Sequence, residues 1–190
     1  MAELAQRRPP AVASTGYLKV LPPGGRWILH ADARARGLLA PVWGAGCSEE
    51  ACRATVSGAR ATLWLGPDEY LLLDLGTDVS DHDAHASTAQ SLEHALAGAP
   101  HALVDVSHRQ FAVEVTGPHA AMILSAACPL DLDSRVFPVG MCTRTVLAKA
   151  DIVLWRTAPA TFHLEAWRSF APYVSDLLGE IAREFYGEAP

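Results

Sequence analysis

Residues Val104–Leu132, VDVSHRQFAVEVTGPHAAMILSAACPLDL, decide how the rest of the chain is read. Val104 and Val106 alternate with Asp105 and Ser107, and Phe111, Val113 and Val115 alternate with Ala112, Glu114 and Thr116. A two-residue period puts alternate side chains on opposite faces of an extended chain. Two short strands are therefore expected, each with one buried and one polar face. Thr116-Gly117-Pro118 breaks the second strand and opens a helix, with Pro118 in the first turn, where a missing N–H is tolerated. The run Ala120–Ala127 is short, small and apolar, which suits close packing on a sheet. Cys128-Pro129 ends it, because the residue before a proline is pushed out of the α region. Strand, glycine turn and short helix form one unit, and the flanking segments read as strands and helices that cover it.

Towards the N-terminus, residues 1–24 are rich in Pro, Gly and Ala without a sustained period, and read as an extended arm ordered against something else. Residues 25–190 read as a single domain. Arg26–His30 is a first strand, and Asp32 caps a short Ala/Arg helix that Gly37 ends. Residues 40–60 read as loop. Ala61–Leu65 and Tyr70–Leu75, joined by Gly66-Pro67-Asp68-Glu69, form a hairpin whose nearly continuous apolar strands imply cover on both faces. An acidic stretch, Asp78–Asp83, leads into a helix that ends before Gly98, with Ala89, Leu92 and Leu96 on its apolar face. Beyond the central unit, Thr143–Lys149 and Ile152–Arg156 make a tight hairpin around Ala150-Asp151, and Thr161–Trp167 adds a strand. Pro172–Tyr186 is helical, since Val174, Leu177, Leu178, Ile181 and Phe185 recur at helical spacing. Hairpins with helices between and after them predict an α+β fold with a mainly antiparallel sheet and packed helices.

Composition narrows the function classes. Half of the residues are hydrophobic and 19% are charged, a folding composition that leaves apolar area for a contact surface. The formal net charge is −6, and no Lys/Arg stripe interleaves with aromatics, so nucleic acid is not an expected partner. The first residues lack the apolar run of a signal peptide, and no window approaches the roughly 18 apolar residues of a membrane span. No membrane association and a cytoplasmic location are expected. Cys47 and Cys52 sit five apart, while Cys128 and Cys142 are scattered; free buried thiols fit this better than a zinc site or a disulfide.

No residue pattern identifies an active site. His82 and His85 lie in a polar run at a helix start, where Asp residues serve as caps. Asp105, Ser107 and His108 share a triad's composition without a glycine-flanked nucleophile elbow. Arg109, Arg144 and Arg168 have the fork geometry to clamp a carboxylate, but internal or interfacial salt bridges are the simpler expectation. Dinucleotide and phosphate-loop glycine motifs are missing.

Taken in order, WLGPDEYLL (Trp64–Leu72), VDVSHR (Val104–Arg109), VTGPHA (Val115–Ala120), CPLDL (Cys128–Leu132), FPVG (Phe137–Gly140), RTVLA (Arg144–Ala148) and WRSF (Trp167–Phe170) resemble the gamma subunit of heterotetrameric sarcosine oxidase. The likeness runs from Trp64 to the C-terminal helix. More distantly, the same stretch resembles the first part of the folate-binding aminomethyltransferase domain of the glycine-cleavage T-protein type. The resemblance implies a non-catalytic subunit of a complex that oxidises sarcosine to glycine, forms hydrogen peroxide and passes the one-carbon unit to tetrahydrofolate. It implies alpha, beta and delta subunits as partners, chiefly alpha, with FAD, FMN, NAD, tetrahydrofolate and zinc held in those other subunits and no cofactor or metal in this chain.

The aminomethyltransferase hairpin resembles a Gly-Gly turn followed by adjacent aspartates, one of them catalytic. The matching segment here, Leu147–Ile152, has a single Asp151 and no glycine pair, so Asp151 is expected to be a turn residue. The sequence also ends before the part of that family that completes its folate pocket. The alternative is a degenerate folate-domain aminomethyltransferase or a small-molecule-binding protein, with Asp105, Arg144 and Asp151 around a residual cleft.

Overall fold

The computed structural model describes residues 15–187. Val104–Leu132 passes from one sheet into another. Its first strand, β6 (His101–Asp105), is an edge of one sheet, and its second, β7 (Gln110–Thr116), lies inside the other. The remaining strands are β1 (Leu18–Val20), β2 (Gly24–Ala31), β3 (Ala54–Ser57), β4 (Arg60–Gly66), β5 (Glu69–Asp78), β8 (Cys142–Leu147), β9 (Ala150–Ala158) and β10 (Thr161–Trp167). The helices are α1 (Ala33–Trp43), α2 (His82–Leu96), α3 (Ala120–Ser125) and α4 (Ala171–Tyr186), the last entered through a 3-10 turn at Arg168–Phe170. One five-stranded sheet has the order β1-β7-β10-β9-β8 and the other β3-β4-β5-β2-β6; every pairing is antiparallel.

Strand alternation sorts the core into layers. On β5, Tyr70 and Leu72 face α1 and α2, packing with Trp27, Leu29, Leu39, Trp43, Leu92 and Leu96. The intervening Leu71 and Leu73 face the other sheet and meet Leu63, Val153 and Trp155. On β10, Phe162, Leu164 and Ala166 pack against Ile123, Leu124, Val174 and Leu178 of α3 and α4. The molecule is thus a helix pair, a sheet, a second sheet and a second helix pair, in that order. This is why the β4–β5 hairpin is apolar on both faces, as its sequence implies. Fully burying each such leucine contributes about 1.5–3 kcal/mol.

Several boundaries differ from the sequence reading. Helix α1 does not end at Gly37 but continues through Gly37 and Pro41 to Trp43. Buried Leu39 and Trp43, with Trp43 Nε1–H donating to Thr62 Oγ1 at 3.0 Å, hold its last turn on the sheet against the weak helical preference of Gly37 and Pro41. Gly44 then stops it at φ +83°, a conformation that favours glycine. Residues 40–60 therefore contain the end of a helix and strand β3 as well as loop. The β8–β9 turn is Ala148-Lys149, with Ala148 at φ +51°, so Asp151 is a strand residue opposite Val146 rather than a turn residue. Pro118 precedes α3, in a turn closed by Ala120 N–H donating to the Gly117 carbonyl at 3.0 Å. Residues 15–24, read as part of the arm, include β1, which pairs with this chain's own β7 and buries Leu18; residues 1–14 lie outside the described residues. Among the described residues, no helix is long and apolar enough to cross a membrane.

Candidate functional site

Where the two sheets face one another, β10 turns His163 and Glu165 inward, on the side opposite its apolar Phe162, Leu164 and Ala166. Arg26 of β2 reaches Glu165 from the other sheet, its Nε–H donating to Oε2 at 2.7 Å; the side chains are 1% and 0% exposed. His163 Nε2 lies 2.7 Å from Glu165 Oε1. Arg26 Nη1 donates to the Gly24 carbonyl at 2.8 Å, and its backbone N–H donates to Ser107 Oγ at 2.8 Å. Burial pushes the Glu165 carboxyl up, but the Arg26 charge and the hydrogen bonds from His163 and Arg26 outweigh it and hold the group below the usual carboxylate range. The carboxylate is ionised and fully engaged.

Beside this cluster a cleft of about 280 Å³ opens between the sheets. Ile28 and Leu65 line it from one sheet, and Ile152, Val153 and Ala166 from the other. Arg109, Gln110, Arg144, Asp151 and Trp167 also border it. Arg144 grips Glu69 of the opposite sheet with both terminal nitrogens, Nη1 to Oε2 at 2.6 Å and Nη2 to Oε1. Those bonds lower the Glu69 pKa, so the arginine fork clamps an internal carboxylate. Asp151 is exposed and in no ion pair among the described residues. The Arg109 guanidinium lies over the Trp167 ring, 5.6 Å from its centroid, and Trp167 is 48% exposed.

Of the sequence candidates, the fold brings Arg144 and Asp151 to one cleft and leaves Asp105 outside its lining. Asp105 ends edge strand β6, where it accepts from Ser107 N–H at 2.8 Å and lies 2.7 Å from His85 Nε2. His85 in turn stacks on Trp27, with centroids 4.9 Å apart. Burial raises the Asp105 pKa, but its hydrogen bonds to Ser107 and His85 prevail and lower it. Ser107 is buried against the Arg26 backbone, so Asp105, Ser107 and His85 form a structural corner. Among the described residues, no group of three or more His, Cys, Asp or Glu could hold a metal ion. All four cysteines are free thiols; Cys128 and Cys142 are buried and Cys47 and Cys52 half-buried. Burial pushes the Cys142 thiol up to about 12 and the Cys47 thiol up to about 11.

Sequence reasoning did not single out Arg26, His163 and Glu165. The signal was available in outline: an arginine inside Gly24–Ala31 and two ionisable residues inside Thr161–Trp167, each in an otherwise apolar strand.

The Sarcosine oxidase, gamma subunit family matches residues 32–184. The chain belongs to this family. The match begins well before Trp64 and takes in α1 and every later element, β3 to β10 and α2 to α4. The sarcosine oxidase subunit gamma of Corynebacterium sp. (strain P-1) is 30% identical over 187 residues, covering 98% of this chain and 84% of that protein. The sarcosine oxidase subunit gamma of Corynebacterium sp. (strain U-96) is 33% identical over 130 residues, covering 68% of this chain and 59% of that protein. Among solved structures, a chain of the heterotetrameric sarcosine oxidase from Corynebacterium sp. U-96, in complex with pyrrole 2-carboxylate, superposes with a TM-score of 0.80 at 27% identity, covering 91% of this chain and 86% of that one. The glycine cleavage system aminomethyltransferase T from Bartonella henselae shares the fold, with a TM-score of 0.61 at 13% identity, covering 85% of this chain and 44% of that one.

Proposed function

We propose that this chain is a non-catalytic subunit of a heterotetrameric sarcosine oxidase in the cytoplasm, docked chiefly on the alpha subunit. In this reading the assembled enzyme oxidises sarcosine to glycine, forms hydrogen peroxide and transfers the one-carbon unit to tetrahydrofolate. FAD, FMN, NAD, tetrahydrofolate and zinc belong to the other subunits. The observation that carries the proposal is membership of the gamma subunit family over residues 32–184, supported by the superposition on a chain of a heterotetrameric enzyme.

The cleft supports a scaffold better than a catalyst. At the sheet interface Arg144 is already paired with Glu69, and Arg26 with Glu165. The cleft, at about 280 Å³, is at the small end of the roughly 300–1,000 Å³ of clefts that enclose drug-sized ligands. Glu165, the carboxylate deepest in it, has both oxygens engaged by Arg26 and His163.

Affinity purification of the tagged chain from its own cells, with identification of co-eluting proteins and an absorption spectrum, tests the proposal. Co-elution of the large sarcosine oxidase subunits with oxidised-flavin bands is expected. A chain that elutes alone and colourless from cells that contain those subunits refutes it. Saturable folate binding by the purified chain, weakened by Asp151→Asn, would transfer the assignment to a degenerate aminomethyltransferase.

A further inference from the structure

The rim of the cleft differs chemically from its interior. Trp167, the most exposed tryptophan at 48%, sits opposite Gln110 of β7 in the sheet register. Ala166 pairs with Ile152, so Asp151 of β9 flanks Trp167 on its other side. Arg109 covers one face of the Trp167 ring, and Arg168 N–H donates to the Arg109 carbonyl at 2.8 Å, which ties the two backbones together beside the ring. Among the described residues neither arginine is in an ion pair, although the whole chain carries a formal net charge of −6. A buried oxygen, Gln110 Oε1, also has no hydrogen-bond partner. A half-exposed tryptophan beside the Arg109 guanidinium, which is in no ion pair among the described residues, has the composition of an interface anchor, because Trp and Arg supply large contact area with directional charge.

We propose that this rim is the docking surface for a segment of a partner polypeptide that inserts an apolar side chain into the cleft and sets a carboxylate against Arg109. The inference rests on the reading of the chain as an oxidase subunit and assigns that subunit its contact face. Three features select such an occupant. The walls formed by Ile28, Leu65, Val153 and Ala166 are apolar, and the Arg144 fork beside them is already closed on Glu69, so the interior suits a hydrocarbon side chain rather than a free polar metabolite. The Arg109 guanidinium borders the cleft without an ion-pair partner among the described residues, and a carboxylate is electrostatically complementary to it. Asp151 borders the same cleft on β9 and repels a carboxylate, which leaves the Arg109 side of Trp167 for the partner's acid.

The test uses the complete complex. All four subunits from the same organism are co-expressed with the tag on this chain, and the retained large subunits are quantified. Wild type is compared with Trp167→Ala, Arg109→Glu and, as a remote control, Val56→Ala, whose side chain is 59% exposed on β3. Retention by Trp167→Ala and Arg109→Glu is expected to fall about tenfold or more, the scale of hot-spot truncation, with the control unchanged. In wild type, retention should fall at about 1 M salt, where charges are screened beyond about 3 Å. Arg109→Lys, which keeps the charge, should retain more than Arg109→Glu; circular dichroism on each purified chain confirms folding. Equal retention by wild type and both rim variants overturns the docking face, and equally excludes a rim whose ligand is a small carboxylate needed for assembly. A wild-type chain that retains no large subunit overturns the subunit reading itself, an outcome distinct from loss in the variants alone.

Discussion

Replacing Glu165 with Gln leaves the Arg26 guanidinium between two sheets with no counter-charge. Both side chains are essentially inaccessible, so water cannot compensate. Removing one partner of such a pair costs about 3–5 kcal/mol, because the remaining charge stays buried. For a chain of this size each kcal/mol shifts the melting temperature by about 2–4 °C, so Glu165→Gln should lower it by about 6–20 °C. The double substitution Arg26→Met/Glu165→Leu removes both charges together and should cost much less than the single change, since an apolar pair of similar volume has no desolvation penalty. Urea unfolding of the full chain followed by far-ultraviolet circular dichroism measures both. The pH dependence provides an independent check. The folded Glu165 pKa lies below its unfolded value, so its contribution is fully present above the unfolded pKa of about 4.3 and is lost as pH falls through the folded pKa. The gap between wild type and Glu165→Gln should therefore close on acidification. A single-variant loss under about 1 kcal/mol near neutral pH, or a double variant as unstable as the single, would refute the view that the sheets are joined by a buried ion pair.

The more exposed fork should behave differently: with Arg144 about half exposed, Arg144→Gln is expected to cost only about 0.2–1 kcal/mol in the same urea titration, and a loss above about 2 kcal/mol would contradict the distinction between surface and buried pairs. Asp32→Ala removes the acceptor of the Ala35 N–H at the start of α1 and should destabilise the chain by about 1 kcal/mol, with Asp32→Asn largely neutral; equal losses in melting experiments would show that the cap is not the cause. A thiol reagent near neutral pH should reach half-buried Cys52 first and label buried Cys142 only after unfolding, because burial keeps the Cys142 thiol protonated up to about 12; native-state labelling of Cys142 at the Cys52 rate, read by peptide mass spectrometry, would contradict this.

Local signals in the sequence were sound where a local rule suffices. Thr161–Trp167 reads as a strand and forms one with the same ends, and Pro172–Tyr186 differs from α4 by one residue at its start. Asp32 caps a helix because a carboxylate can accept from a free N–H whatever lies further along the chain. The reading stopped at Gly37 because glycine and a following Pro41 oppose a helix locally, whereas burial of Leu39 and Trp43 on the sheet, a non-local gain, carries the helix past both. The central stretch shows the same limit. Val104 and Val106 appear equivalent by period, yet Val104 is 53% exposed on the edge strand and Val106 is 3% exposed between the sheets, because β6 ends at Asp105 and the chain crosses over.

The sequence by itself determined the hairpins, the C-terminal helix, the antiparallel α+β class and the motif order that resembles the gamma subunit family. It also placed Arg144 on a strand of the hairpin whose turn it assigned to Ala150-Asp151, whereas the structure puts Asp151 on β9. Only the tertiary structure decided that Arg144 closes on Glu69, that Asp105 belongs to a corner with His85, and that Arg26, His163 and Glu165 meet out of water. The physical reason is that alternation reports which side chains share a face, while burial, charge pairing and pKa depend on what packs against that face. On β10 the polar face is covered by the second sheet, so His163 and Glu165 become the charged core of the interface.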